Sequence, residues 1–330
     1  MSEPTLPPKL RPGDTVRVIA PAQSRSLIME HDNTRWINQR FTAMGLQLTF
    51  GEHVDEDDRF RSSSIDSRVA DLHAAFADPG VHGILTVIGG FNSNELLPHL
   101  DWDLIARHPK VLCGYSDITA LSNAILTRAD LITYSGPHWS TFGMRDHFEP
   151  IGQWFHAAVM QDGPITLHPS QNWTDDLWFL DQDHRTVESN RGSLPIRSGT
   201  AAGRIVGGNL ATLNLLQGTA YMPSLEDAIL FVEEEGDVVA GEFARNFTSL
   251  LQLPGAEDLA GLAIGRFQRS SMISDEDLRE IVDRQPALRD KPIVAGLDFG
   301  HTYPMITFPI GGQAELTVSD SDATVVITEH

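Results

Sequence analysis

Apolar and polar positions along this chain follow two alternating periods. Short apolar runs at Thr15–Ala20, Leu46–Phe50, Gly83–Ile88, Val111–Cys113 and Leu131–Tyr134 have the length of buried strands. Between them, Asn33–Met44, Ser64–Ala77, Asn94–Leu100 and Ile118–Thr127 repeat their apolar positions at helical spacing. The punctuation agrees: Gly45 closes the first helix, Pro79-Gly80 stops the second, and Gly89-Gly90 ends the third strand. Strands alternating with helices predict an α/β fold, a parallel sheet covered on both faces.

From about Met144 to Thr200 the pattern decays into short pieces rich in Trp, Asp, Pro and Gln, which predicts a connection and irregular structure. Alternation then returns. Strands are predicted at Ala228–Val232, Leu259–Phe267 and Pro292–Phe299, with helices at Phe243–Leu253 and Ser274–Arg284. The last helix opens with a Ser-x-x-Asp capping pattern, and a strand-rich tail runs from Met305 to Thr328. The expected division is an N-terminal α/β domain over 1–165, an irregular connection over 166–200, and a smaller, strand-rich C-terminal α/β domain over 201–330.

Composition narrows the partners. Against 24 Lys and Arg stand 45 Asp and Glu, a formal charge of −21 that argues against nucleic-acid polymers and anionic membrane surfaces. Met1–Gly13 is polar and proline-rich without an apolar signal core, and no run approaches a membrane span. The single cysteine, Cys113, excludes an intrachain disulfide framework and sits inside an apolar strand, the setting of a packing thiol. These features give the expectation of a cytoplasmic protein. The 13 histidines lack an H-E-x-x-H or Cys/His cluster. Asp181, Asp183 and His184 read as polar-loop surface, so no metal is expected.

Three predicted strands end in residues suited to acyl transfer. Val111-Leu112-Cys113-Gly114-Tyr115-Ser116-Asp117 carries a serine on a strand-to-helix turn, where the helix's first free N–H groups face its hydroxyl. The Ala228–Val232 strand leads to Glu233, and the Pro292–Phe299 strand to Gly300-His301. In α/β folds ligands collect at the carboxyl ends of strands. A serine needs a base, and that histidine needs a carboxylate to fix its tautomer. Each residue also has a plainer role: Ser116 as a helix cap, Glu233 as a solvated strand end, His301 as a turn histidine. The full G-x-S-x-G fingerprint is not met, because Ile118 holds its second glycine position. In Gly89-Gly90-Phe91-Asn92-Ser93-Asn94 the Gly90 N–H, paired with that of Asp117, would make an oxyanion hole. The alternative is a turn followed by an Asn cap. Neither a dinucleotide fingerprint nor a phosphate loop occurs.

Taken in order, these segments resemble the LD-carboxypeptidase family of serine peptidases, in its microcin C immunity branch. The resemblance rests on Lys9-Leu10-Arg11-Pro12-Gly13-Asp14, Ala20-Pro21, the Gly89–Asn94 and Gly114–Asp117 segments, Gly207-Gly208-Asn209-Leu210, Phe231-Val232-Glu233-Glu234 and Gly300-His301-Thr302-Tyr303-Pro304. It implies Ser116 as nucleophile, His301 as general base and acid, Glu233 as the residue orienting the histidine, and Gly90 and Asp117 N–H groups as the oxyanion hole. It also implies a Rossmann- or flavodoxin-like N-terminal half with a smaller C-terminal domain, in a cytoplasmic homodimer working without metal or cofactor. The immunity branch cuts the amide-type bond between a peptidyl or aminoacyl group and a modified adenylate. The wider family removes the terminal residue of murein tetrapeptides, and a non-catalytic peptide or nucleotide binder on the same fold is a third reading. The immunity branch is favoured by the Phe91–Asn94 segment, by Asp176–Gln182 and by the Gly207–Gly218 run. Asn92, Trp178 and Arg245 are the expected substrate contacts. Trp178 would stack on a purine or pack under a loop; Arg245 would meet an anionic group or form a surface ion pair. One departure stands out: where the family tends to show Glu-Asp after the strand, this chain has Glu233-Glu234-Glu235-Gly236.

Overall fold

The computed structural model describes residues 3–29 and 31–330; of the N-terminal stretch read above, Met1 and Ser2 lie outside the described residues. Two sheets carry the chain. The first has six strands in the order Phe308–Ile310, Thr133–Ser135, Val111–Cys113, Gly83–Thr86, Thr15–Ile19 and Gln47–Phe50. All neighbours pair in parallel except Phe308–Ile310, which runs antiparallel along Thr133–Ser135. Gly83–Thr86 and Val111–Cys113 lie at the centre with every residue buried, which is why both read as unbroken apolar runs.

The second sheet has eight strands, in the order Ile165–Thr166, Ala323–Glu329, Gln313–Val318, Gly199–Asn209, Ala228–Glu233, Gly261–Gly265, Ile293–Leu297 and Leu194–Arg197. Its middle, from Gly199–Asn209 to Ile293–Leu297, is parallel. The mixed α/β architecture in two parts is therefore the one expected. Strands cross the expected division, however: Ile165–Thr166 and Leu194–Arg197 belong to the second sheet, and Phe308–Ile310 returns to the first.

Local differences from the expected elements have physical causes. Ser93–His99 is a 3-10 helix with Pro98 inside, a residue that supplies no N–H for an α-helical ladder. The region expected to be irregular contains an α-helix, Glu149–Met160, with Pro150 in its first turn and Ile151, Phe155, Ala158 and Val159 buried along one face. Gly199–Asn209 is an 11-residue strand that carries four glycines, which dilute its β signal. The Ser274 capping box forms as its pattern predicts, with both reciprocal bonds present.

Helix Ile118–Ala129, which follows Ser116, joins the two sheets. Ten of its 12 residues are buried. Asn123 donates from Nδ2 to the Gly207 carbonyl at 2.8 Å, and its Oδ1 accepts the Gly207 N–H at 3.2 Å. The Asn209 N–H donates to Thr119 Oγ1 at 2.9 Å. Contact this close requires glycine: a Cβ on Gly208, whose φ is +124°, would lie 2.5 Å from Thr119 Oγ1. Asn209 is in turn the register partner of Glu233. The serine-bearing helix is thus keyed to the strand beside the one that ends in the acid.

Candidate active site

Ser116 stands three residues beyond the Val111–Cys113 strand with φ +58°, a left-handed conformation that non-glycine residues seldom adopt outside functional turns. That turn points its hydroxyl away from the sheet toward two other strand ends. Ser116 Oγ lies 3.2 Å from His301 Nε2, and His301 Nδ1 lies 2.7 Å from Glu233 Oε2. The structure therefore brings together Ser116, His301 and Glu233, three residues spread over 185 positions of sequence. Glu233 is the last residue of a strand with all six positions buried, and His301 follows the next-but-one strand of the same sheet.

The paired glycines close over the serine. A Cβ on Gly89 would stand 3.1 Å from Ser116 Oγ, so only glycine lets that loop approach the hydroxyl without crowding it. Gly90 lines the same cleft. Asp117 begins the helix, and its Oδ2 accepts the Ser93 N–H at 2.8 Å while Ser93 Oγ donates to the Asp117 carbonyl at 2.6 Å. These bonds hold the Gly89–Ser93 loop against the helix start, where backbone N–H groups have no helical acceptor. Burial raises the pKa of the Asp117 carboxyl.

A second carboxylate completes the cluster as its fourth residue and was not singled out in the sequence. Glu235 Oε1 lies 3.3 Å from Ser116 Oγ and 3.2 Å from His301 Nε2, with half of its side chain exposed. Burial pulls the His301 pKa down, but Glu233 by charge and hydrogen bond, joined by Glu235, holds it well above the ordinary histidine value. Behind them Glu234 is buried beside Glu233, and its carboxyl is pushed up to about 7 by burial and by that neighbour's charge. Tyr115 stacks on His138 with centroids 4.4 Å apart, and its hydroxyl lies 3.4 Å from that of Tyr303. His138 bonds Thr86 Oγ1 through Nδ1 at 2.7 Å, and burial pulls its pKa down to about 3. Tyr115 and Tyr303 lie inside the motif segments and Glu235 directly follows one, whereas no sequence signal pointed to His138.

The cleft that contains these groups has a volume of about 480 Å³, suited to a small-molecule ligand. Trp178 forms one wall. It is 5% exposed, meets Phe179 edge-on at 6.0 Å, and divides the cleft from an apolar cavity of about 390 Å³ beside Ile88 and Trp139. Among the described residues its Nε1 has no hydrogen-bond partner.

Two expected contacts fall elsewhere. Asn92 is buried beneath the loop, where Nδ2 donates to Ser62 Oγ at 3.2 Å and its carbonyl accepts from Arg68 at 3.0 Å; it does not line the cleft. Arg245 lies on the outer face of helix Ala240–Leu251, 3.6 Å from Glu242 and 76% exposed, beside a different cavity. The helical repeat turns it outward, because Phe243 and Phe247 occupy the buried face. Cys113 is fully buried, and burial pushes its thiol pKa up. His184 pairs with Asp181 on the surface at 2.9 Å. Among the described residues no cluster of three or more His, Cys, Asp or Glu side chains has the arrangement of a metal site, and no helix is long and apolar enough to cross a membrane.

Comparison with known proteins gives a consistent set of matches. Residues 16–136 match the LD-carboxypeptidase N-terminal domain and residues 202–316 the LD-carboxypeptidase C-terminal domain. The chain is 44% identical to the putative carboxypeptidase YocD of Bacillus subtilis, over 98% of this chain and 99% of that protein. It is 28% identical to the microcin C7 self-immunity protein MccF of Escherichia coli, over 100% and 97% of the two chains. It is also 28% identical to a probable murein peptide carboxypeptidase of Bacillus subtilis, over 97% and 93%. Among solved structures, an MccF-like protein from Bacillus anthracis matches with a TM-score of 0.97 at 46% identity, over 99% of this chain and 100% of that one. MccF in complex with aspartyl sulfamoyl adenosine matches with a TM-score of 0.89 at 27% identity, over 99% of both chains.

Proposed function

The chain belongs to the LD-carboxypeptidase family of serine peptidases, and we propose that it hydrolyses the amide-type bond between an aminoacyl or peptidyl group and a modified adenylate. The observation that carries this reading is the continuous Ser116–His301–Glu233 chain of contacts at the floor of a tryptophan-walled cleft. In it Ser116 Oγ attacks the carbonyl as neutral His301 takes its proton, and Glu233 stabilises the imidazolium that forms. The N–H groups of Gly90 and Asp117 receive the oxyanion. His301 then returns the proton to the leaving nitrogen, and water, deprotonated by the same histidine, releases the acyl group from Ser116. Trp178 presents a flat apolar surface to the base. Support for the adenylate comes from the fold shared with MccF, whose complex holds aspartyl sulfamoyl adenosine. The reading extends to a cytoplasmic homodimer that needs no cofactor.

A specific observation favours a second reading, L,D-carboxypeptidase action on murein tetrapeptides. Among the described residues no Lys or Arg lines the cleft to meet a phosphate, and identity to MccF and to the murein enzyme is equal at 28%. The deciding experiment offers an aminoacyl sulfamoyl adenosine and a murein tetrapeptide to the protein and to Ser116→Ala, with products read by mass spectrometry. Serine-dependent cleavage of the adenylate mimic supports the first reading. Cleavage of the tetrapeptide alone moves the protein to cell-wall recycling, and cleavage of neither leaves a binding protein on this fold.

A further inference from the structure

The carboxylate beside the serine has no role in the acyl-transfer chemistry described above. Glu235 Oε1 touches both Ser116 Oγ and His301 Nε2, at 3.3 and 3.2 Å, so it occupies the volume into which the substituents of an attacked carbonyl must project. Its charge is not cancelled by a strong base. The nearby Asp175 and Asp176 are paired with Arg269, but among the described residues no Lys or Arg pairs with Glu235 or with Asp237 in the same cleft wall. His138, 2% exposed, packs against the same cleft; its Nδ1 bonds Thr86 Oγ1 at 2.7 Å, and its buried Nε2 has no partner among the described residues. The cleft thus carries negative charge next to the nucleophile.

We propose that Glu235 is a specificity-determining residue that holds the free α-ammonium group of the residue whose carbonyl Ser116 attacks, so that the preferred substrates are acyl donors with an unblocked amino group. The inference rests on the reading that Ser116 attacks an aminoacyl carbonyl. Covalent geometry puts the α-nitrogen about 2.5 Å from that carbonyl carbon, and a carbon poised for attack lies about 3–3.5 Å from the nucleophile. A carboxylate 3.3 Å from Oγ is within hydrogen-bond reach of such a nitrogen. The contact also couples binding to activation. In the arrangement seen here Ser116 donates to Glu235, and His301 faces a carboxylate on each side, the pattern of an imidazolium unable to take the serine's proton. An ammonium that draws Glu235 toward itself leaves His301 with Glu233 alone. Nε2 then releases its proton to solvent and becomes the acceptor for the Ser116 hydroxyl.

The test is calorimetric binding of alanyl sulfamoyl adenosine and its des-amino counterpart, propionyl sulfamoyl adenosine, to Ser116→Ala and to Ser116→Ala/Glu235→Gln. The amino form should bind the single variant about 10- to 100-fold more tightly, the range of a charge-assisted hydrogen bond, and the preference should collapse to within about twofold in the double variant. Equal affinities in the single variant, a preference that survives Glu235→Gln, or binding of neither compound would each overturn the proposal. Matching melting curves exclude misfolding, since Glu235 is half exposed and Gln preserves its shape. Turnover by the unmodified protein is measured in parallel. A binding preference without turnover counts against the hydrolase reading and leaves Glu235 as a selector.

Discussion

The floor and the walls of the cleft are built by different physics. The floor is steric: Gly89 against Ser116, Gly208 against Thr119, and buried polar pairs from Asn123 and Ser93 leave each residue one workable identity. The walls are electrostatic and irregular. Trp178 comes from a segment of short turns, and Glu235 and Asp237 lie on an exposed bend after a buried strand. On the proposed function, the comparison teaches that this fold would fix where a carbonyl is attacked, while the loops would decide which molecule presents it. Substitutions in the floor should damage chemistry or folding outright, and substitutions in the walls should redistribute activity among substrates.

The largest expected effect is on the floor's chemistry. Glu233→Gln keeps the shape but offers His301 no charge, and kcat should fall about 10³- to 10⁴-fold with little change in KM. A loss under tenfold would mean that Glu233 is not the partner that matters. Next is the floor's packing. Gly208→Ala puts a methyl 2.5 Å from Thr119 Oγ1 at a φ of +124°, and should cost about 2–4 kcal/mol by denaturant unfolding. Gly218→Ala, with a φ of +74° but nothing within 4 Å, should cost about 1 kcal/mol. Equal costs would show that contact across the two sheets contributes little.

The walls should respond more gently. Trp178→Ala should raise KM for an adenylate about tenfold, the worth of one stacked base, and leave murein peptides nearly unaffected; equal losses on both would remove the stacking role. The smallest effect is a shift in pH. Two carboxylates raise the His301 pKa, and catalysis needs the neutral ring, so kcat/KM should rise with pH along a limb lying above the ordinary histidine range. Glu235→Gln removes one source of the upward shift and should move that limb to lower pH. No movement, or movement to higher pH, would separate Glu235 from the base.

This division also explains what could be read from the sequence. Floor positions leave marks because contact dictates residue type: paired glycines at 89–90 and 207–208, a serine between a strand and a helix, and an acid and a histidine just beyond apolar strands. The α/β alternation was legible for the same reason, since buried parallel strands must be apolar throughout. Wall positions leave weaker marks. Glu235 reads as one acid among three, and only its place past the strand's end separates it, in the cleft, from Glu233 behind His301 and Glu234 buried beside that residue. Arg245 had the right chemistry near the right strand, but its helical phase turns it outward. Asn92 sits in a motif whose neighbours line the cleft, yet its side chain ties the loop down from below. Sequence order does not reveal the side of a loop a residue faces.

The central claim is that Ser116 forms a covalent acyl intermediate, and the most direct measurement is peptide mapping by mass spectrometry after rapid acid quench of turnover on an aminoacyl sulfamoyl adenosine. The account predicts a mass increase equal to the aminoacyl group on the peptide carrying Ser116, absent from Ser116→Ala, whose turnover should fall at least about 10⁴-fold. An adduct on another residue, or undiminished cleavage by Ser116→Ala, would contradict it.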